Sequence, residues 1–239
     1  MFGDRRGAPR QGQLIPKSRA KLWFHAFTQP EQSLQGLDSF SHLWIIVLLH
    51  DNTNADKLFS DKSIRSKICP PRLKGDKTGI YSTRTPHRHN PIGLSLAKIE
   101  KVDLEQGSVL VSGLDFISGT PILDIKPFIP QYDAAIGEQV ATPFWIQDAD
   151  CLLLSGVEYS ERAVQGFSES FRAVQLYETE SEAKDALTEI LRMDLRPRNK
   201  RTYPDKHEVC SIIFDGILVQ FTVDDETRMV SVVECSVSK

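Results

Sequence analysis

Ile92-Gly93-Leu94-Ser95-Leu96-Ala97-Lys98-Ile99-Glu100-Lys101-Val102, a break at Gln106-Gly107, and then Ser108-Val109-Leu110-Val111-Ser112-Gly113-Leu114 decide the reading of the fold. Apolar residues alternate along both arms, the two-residue period of a strand whose successive side chains face opposite sides of a sheet. With a glycine at the break, the stretch predicts an antiparallel hairpin. Further out, Leu43-Trp44-Ile45-Ile46-Val47-Leu48-Leu49 is an unbroken apolar run, too short for most helices, and predicts a strand buried on both faces. Ala20, Leu22, Phe24 and Ala26 fall on one face of another strand, with Trp23 on its polar face. Ile122–Pro127 predicts a strand with Asp124 and Lys126 on one side. Ile64–Cys69 and Gly79–Thr83 read as extended, and Pro30–Phe40 as a short helix broken by Gly36. Residues 14–130 are thus nearly all short strands and turns, the spacing of a barrel or a sandwich.

The hairpin is entered through Tyr81-Ser82-Thr83-Arg84-Thr85-Pro86-His87-Arg88-His89-Asn90-Pro91. Two prolines fix their own φ and push Thr85 and Asn90 away from helix. A stiff loop dense in donors suits a binding site on a rigid scaffold, or equally a solvated basic turn.

Residues 131–144 read as a linker, and beyond it the period changes. Cys151–Tyr159 predicts a strand. Thr179-Glu180-Ser181-Glu182 is a capping box that opens a helix with Ala183, Ala186, Leu187, Ile190 and Leu191 on one stripe, ending near Met193–Asp194. Val209–Phe214, Asp215-Gly216 and Ile217–Val223 form a hairpin signal, and Met229–Val237 a further strand. The expectation is a small α+β domain with one helix on a three- or four-stranded antiparallel sheet, with domains at 1–140 and 141–239.

Composition bounds the function. The longest apolar run falls short of a membrane span, and the start carries no apolar leader. Cys69, Cys151, Cys210 and Cys235 are scattered, without a C-x-x-C pair, so neither a zinc site nor a disulfide framework is signalled, and the expectation is an intracellular, cytoplasmic protein with reduced thiols. The net charge of −3 hides segregation: residues 62–101 carry ten Lys/Arg against two Asp/Glu, residues 102–189 four against sixteen, and residues 190–206 six against two. Two basic islands fit a local polyanion footprint, or two solvated surfaces. His50 stands at the end of a strand, where sites are often built. There is no G-x-G-x-x-G, P-loop, G-x-S-x-G or H-E-x-x-H, and His87 with His89 have no carboxylate nearby in sequence to complete a metal site.

Three stretches taken together resemble the TrmO family of S-adenosylmethionine-dependent tRNA methyltransferases: Gly7-Ala8-Pro9-Arg10-Gln11, residues 82–94, and Asp115-Phe116-Ile117-Ser118-Gly119-Thr120-Pro121-Ile122-Leu123-Asp124-Ile125-Lys126-Pro127. Phe40-Ser41-His42-Leu43-Trp44, Pro70-Pro71-Arg72 and Met193-Asp194-Leu195-Arg196-Pro197 also match. The resemblance implies a mainly β chain, with a single-sheet β-barrel followed by a small α+β domain. It implies methylation of the exocyclic nitrogen of threonylcarbamoyl-adenosine at position 37 of threonine tRNA, by a homodimer that uses S-adenosylmethionine. It implies cofactor contacts from Pro9, Arg10, Gln11, His50, Asp51, Arg84, Leu94, Asp115, Phe116, Ile117 and Ser118.

The chemistry of these residues agrees. Arg84 or Arg10 can grip the cofactor carboxylate through a bidentate fork. Asp51 or Asp115 can meet its ammonium or ribose hydroxyls, while Pro9 and Leu94 offer apolar surface. Asp124 and Lys126 share a strand face and are either a base with a polarising donor or a structural ion pair. Arg88, Arg196, Arg198, Lys200 and Arg201 are candidates for RNA phosphates, and Tyr203 for stacking on a base. Two features depart from the family pattern. Only six residues precede Gly7, where members carry a further strand, which predicts an unpaired barrel edge. His89 stands where members commonly have Pro. The alternative reading is a non-catalytic RNA- or partner-binding module on the same scaffold.

Overall fold

The computed structural model describes residues 14–25, 28–50, 66–70, 73, 75–135, 137, 139–147, 153–196 and 208–238. Two compact units emerge, and neither is continuous in sequence. One comprises residues 1–42, 96–118 and 153–239, the other residues 43–95 and 119–152.

Eleven strands are present among the described residues: β1 (Arg19–Trp23), β2 (His42–Leu48), β3 (Lys67–Ile68), β4 (Thr78–Gly79), β5 (Ile92–Asp103), β6 (Ser108–Ser112), β7 (Ile122–Pro127), β8 (Gly156–Tyr159), β9 (Cys210–Phe214), β10 (Ile217–Asp224) and β11 (Met229–Val237). One sheet runs β1-β6-β5-β2-β7, a second β8-β11-β10-β9, and β3 pairs with β4 alone. The chain is thus rich in strands with few helices.

The predicted hairpin is β5–β6, antiparallel from Lys98↔Ser112 to Asp103↔Ser108 with a bulge between Ile99 and Lys101. Gly107 adopts φ +59, and a Cβ there would come within 2.7 Å of Pro30, so both the turn and the packing favour glycine. β1 pairs with β6 so that Ala20 faces Val111 and Leu22 faces Val109, all four buried. Trp23 lies on the outer face as expected, 62% exposed, with the Lys21 ammonium 4.3 Å from its ring centre. Ala26 falls outside the described residues.

β2 differs from the expectation of two fully buried faces. Leu43, Ile45 and Val47 are buried, while Trp44, Ile46 and Leu48 are half-buried. The reason is the partner strand: Trp44 lies opposite Lys126 and Ile46 opposite Asp124, so a charged face runs along the second side. The segment 30–40 is a single helical turn at Pro30–Ser33 followed by a tight turn at Leu37–Ser39, separated by Gly36 at φ +80. Of Gly79–Thr83, expected to be extended, only Gly79 lies in a strand, β4; Ile80–Ser82 winds into a 3₁₀ turn, and the Thr83 hydroxyl and main-chain N–H both bond to the Ile80 carbonyl.

In the second sheet β9 and β10 form the expected hairpin, with Asp215 at φ 42 and Gly216 at φ 86 in its turn. β8 runs parallel to β11, so the sheet is mixed rather than antiparallel. Two helices accompany it, α1 (Glu161–Ser170) and α2 (Glu180–Arg192). In α2 the Thr179 side chain accepts from the Glu182 main-chain N–H at 3.2 Å, and all five predicted stripe residues are buried. α1 is a helix the sequence reading missed. Its cap is Ser160, which accepts from Ala163 N–H at 3.0 Å, and its buried face is Ala163, Phe167 and Ser170. Gly166 lets α1 lie on the β11 main chain, since a Cβ there would stand 2.2 Å from the Cys235 carbonyl oxygen.

Ile15 is fully buried in the same core as α2, Ile190, Phe214 and Val219. The following residues are tied down by polar groups. Tyr177 Oη donates to Lys17 O at 3.0 Å and accepts from Arg19 N–H at 3.2 Å, and Lys17 pairs with Asp185 at 3.1 Å. Ser18, buried, bonds to both the carbonyl and the N–H of Leu114.

Candidate functional site

The candidate site is built where β2 ends. Leu48 N–H donates to Pro121 O at 2.9 Å, and Leu49 N–H donates to Pro91 O at 2.7 Å. Three segments far apart in sequence meet there: the end of the apolar strand leading to His50, the end of the 81–91 loop, and the Gly119-Thr120-Pro121 turn before β7. Gly93 packs closely at the junction, where a Cβ would sit 2.7 Å from Val47 Cγ2 and 3.1 Å from Leu49 Cδ2, so those side-chain ends would have to shift to admit one.

The loop holds its shape through local bonds. Thr83 Oγ1 accepts from Thr85 N–H and Thr85 Oγ1 from His87 N–H, each at 3.3 Å. Arg88 braces the interior, with Nη1 donating to Ile80 O at 3.1 Å and Thr83 O at 2.8 Å. Its guanidinium also lies 5.1 Å from the Tyr81 ring centre. With these donors folded inward, Arg84 is the exposed arginine of the loop and has no hydrogen-bond or ion-pair partner among the described residues. His87, His89 and Asn90 are exposed beside it.

Leu94 is 54% exposed at the start of β5, and His50 is exposed after β2. On β7, Asp124 and Lys126 form an exposed ion pair at 2.7 Å. The hydrogen bond from Lys126 holds the Asp124 carboxyl below the usual carboxylate range. Phe128 continues the segment, its ring 6.0 Å from that of Trp44, edge to face.

In the other unit, Asp115 is half-buried, Phe116 is buried, and Ser118 is exposed. Ile117 packs against the core around α2. Pro9, Arg10, Gln11, Asp51, Arg198, Lys200, Arg201 and Tyr203 lie outside the described residues.

Arg196 differs from the expectation of an exposed phosphate contact. It is 6% exposed, and its guanidinium is taken by Asp194 at 2.9 and 3.1 Å and by Asp225 at 2.8 and 2.7 Å. Those carboxylates raise the guanidinium pKa further, and Asp225 in turn is held low by Arg196. Its donors are spent inside the fold. Sequence reasoning also passed over Tyr81 and the brace role of Arg88; an aromatic residue at the mouth of the loop is the signal that would have drawn attention to the first. No group of three or more His, Cys, Asp or Glu side chains is placed to hold a metal among the described residues, and no described helix is long and apolar enough to cross a membrane.

Residues 1–134 match the family model described as the tRNA-methyltransferase O N-terminal domain. A human protein named tRNA (adenine(37)-N6)-methyltransferase is 49% identical over 135 residues, 56% of this chain and 29% of that protein. The Escherichia coli protein of the same name is 33% identical over 132 residues, 54% of this chain and 53% of that one. The chain therefore spans between about a third and about half of these relatives' lengths. A crystal structure of TrmO from Pseudomonas aeruginosa superposes with a TM-score of 0.71 at 25% identity, covering 98% of this chain and 92% of that one. The sequence match ends near residue 134, whereas the structural match continues through α2 and the second sheet. With more than half of its length matched by the family model and a fold that superposes throughout, the chain belongs to the tRNA-methyltransferase O N-terminal domain family.

Proposed function

We propose that the protein transfers a methyl group from S-adenosylmethionine to the exocyclic nitrogen of threonylcarbamoyl-adenosine at position 37 of threonine tRNA. The observation that supports this most is the meeting of Leu49, Pro91 and Pro121 at the end of β2, with an exposed Arg84, unpartnered among the described residues, in the loop fixed there. The human and Escherichia coli relatives are named tRNA (adenine(37)-N6)-methyltransferases, and a Pseudomonas aeruginosa relative, 38% identical, is named a putative S-adenosylmethionine-dependent methyltransferase, which supports the coarser part of this reading.

The residues present fit this cofactor. A guanidinium fork without a partner among the described residues suits its carboxylate and exposed Leu94 suits adenine, while by their chemistry alone Asp115 and Ser118 suit hydroxyls or the ammonium. Phe116 is buried and Ile117 is packed, so their contribution falls to main-chain groups. When bound, the cofactor supplies an electrophilic methyl on a sulfonium. The protein's task is to hold the acceptor nitrogen in line with it, and positioning carries most of the rate. The acceptor is an N–H in a urea-like group. Asp124, ionised at neutral pH, accepts a hydrogen bond from that N–H and receives its proton as the nitrogen–methyl bond forms. Lys126 holds the carboxylate in place, and the exposed Asp124 carboxyl passes the proton on to solvent.

The reading extends to closure of the first sheet into a barrel over residues 1–140, with 141–239 as the α+β domain, to a homodimer, and to an intracellular setting. It gives the RNA phosphates to the basic island at 62–88, except Arg88, expected as a phosphate contact but with its Nη1 taken by the Ile80 and Thr83 carbonyls, and to Arg198, Lys200 and Arg201. The test uses methyl-labelled S-adenosylmethionine with threonine tRNA carrying threonylcarbamoyl-adenosine, and with the unmodified transcript. Label is expected in the modified tRNA alone, falling by about 100-fold in Arg84→Ala. Label in neither, with the protein folded, overturns the reading.

A further inference from the structure

We infer that Tyr81 is a stacking platform for an unpaired base of the RNA substrate and that Arg88 is its positioning residue. This rests on the reading that the substrate is tRNA.

Tyr81 sits in the 3₁₀ turn Ile80–Ser82 and is 75% exposed, while its neighbour Ile80 is buried. A tyrosine so far out of the core leaves most of its ring in water, at a hydrophobic cost that a purely structural residue would avoid. The ring is nevertheless not adrift. The Arg88 guanidinium lies 5.1 Å from its centre, and the same group is pinned by the carbonyls of Ile80 and Thr83, which flank the turn. The cation is therefore attached to the main chain on both sides of the residue whose ring it meets, so ring and loop are held as one piece.

A guanidinium with this geometry is poorly placed to grip a phosphate, because its Nη1 is already committed. What it does instead is pre-organise an aromatic surface. A ring resting on a fixed cation and otherwise open to solvent matches one ligand class well: a flat nucleobase splayed out of a loop, which every base can satisfy through its π-face. The surroundings favour a base on a polyanion over a lone aromatic molecule. Arg84, His87 and His89 are exposed in the same loop, and residues 62–101 carry ten Lys/Arg against two Asp/Glu. The competing explanation is that Tyr81 merely covers the Arg88 guanidinium, a task any bulky apolar side chain would share. A leucine at this position separates the two, because it covers but does not stack.

The experiment titrates the full chain into an anticodon stem-loop RNA carrying 2-aminopurine at each loop position in turn, read by fluorescence quenching, with S-adenosylmethionine affinity measured in parallel by calorimetry. Wild type is expected to quench the probe at one position. Tyr81→Phe should match it within about twofold, and Tyr81→Leu should lose the quench and bind about 5- to 100-fold more weakly, the range of a single base–aromatic stack. Arg88→Lys, which keeps the charge but loses the fork, should weaken the quench with Tyr81 intact. Cofactor affinity should be unchanged in Tyr81→Leu. Equal behaviour of the Leu and Phe variants, equal loss of cofactor binding, or no RNA binding by wild type each overturns the inference. The methylation reading is tested apart from it: quenching without methyl transfer sinks that reading and leaves this one standing, whereas transfer by Tyr81→Leu with an unchanged KM for tRNA does the reverse.

Discussion

In the loop at residues 80–91 one arginine turns inward to main-chain carbonyls and another is left facing water; at the corner after α2 an arginine is enclosed by carboxylates. Arg88 meets Ile80 and Thr83, Arg84 meets none of the described residues, and Arg196 meets Asp194 and Asp225. All three belong to islands that look alike by charge count. What separates them is the supply of acids within reach. Residues 62–101 contain two acidic residues, so a guanidinium there ends on carbonyls or in solvent. Around Arg196 the fold delivers one acid from two residues away and another from the start of the β10–β11 turn, and the charge is absorbed. Charge density therefore marks a binding surface only where the structure leaves it uncompensated.

Three substitutions press on this contrast. Arg196→Ala strands two partly buried carboxylates and should cost about 3 kcal/mol by chemical denaturation, while leaving the KM for tRNA unchanged. The effect should depend on pH. The folded state holds Asp225 below its ordinary value, so its share of stability is complete above about pH 4 and is lost as pH falls through the lowered value. The acid arm of the stability curve should accordingly flatten in the variant. Next in size, Thr179→Ala removes the cap of α2 and should cost about 1 kcal/mol with no change in methyl transfer. Smallest, Arg84→Ala should lie within about 0.5 kcal/mol of wild type, since the exposed side chain has no hydrogen-bond or ion-pair partner among the described residues. A destabilised Arg84→Ala, or an Arg196→Ala whose salt dependence of tRNA binding changed, would erase the distinction between the two regions.

Much of the strand framework was legible because its signals are local. The β5–β6 hairpin, β7, the β9–β10 hairpin and the stripe on α2 each follow from alternation, a turn or a cap within about a dozen residues. α1 escaped because its buried face holds only Ala163, Phe167 and Ser170, and Gly166 reads as a breaker until the β11 carbonyl beneath it is seen. The parallel course of β8 was likewise invisible, since its partner lies more than seventy residues on. At the candidate site, Asp124 and Lys126 share a face as their spacing required. The brace of Arg88 and the enclosure of Arg196 depend on where carbonyls and carboxylates arrive in space, and no local period records that.

The anchoring of residues 15–19 has a kinetic consequence. Lys17 and Arg19 take their partners from Tyr177, Glu182, Asp185 and Glu189, at separations of more than 150 residues. A ribosome releases β1 long before it has made α2, so the start of the chain must wait for the last third to emerge before its docking site exists. Such long-range closure slows folding and leaves apolar Ile15 uncovered meanwhile, since its core is built from α2 and the second sheet. The order of synthesis and the order of assembly run in opposite directions, and a chain stalled before residue 177 would present an unfinished edge to whatever chaperone reaches it first.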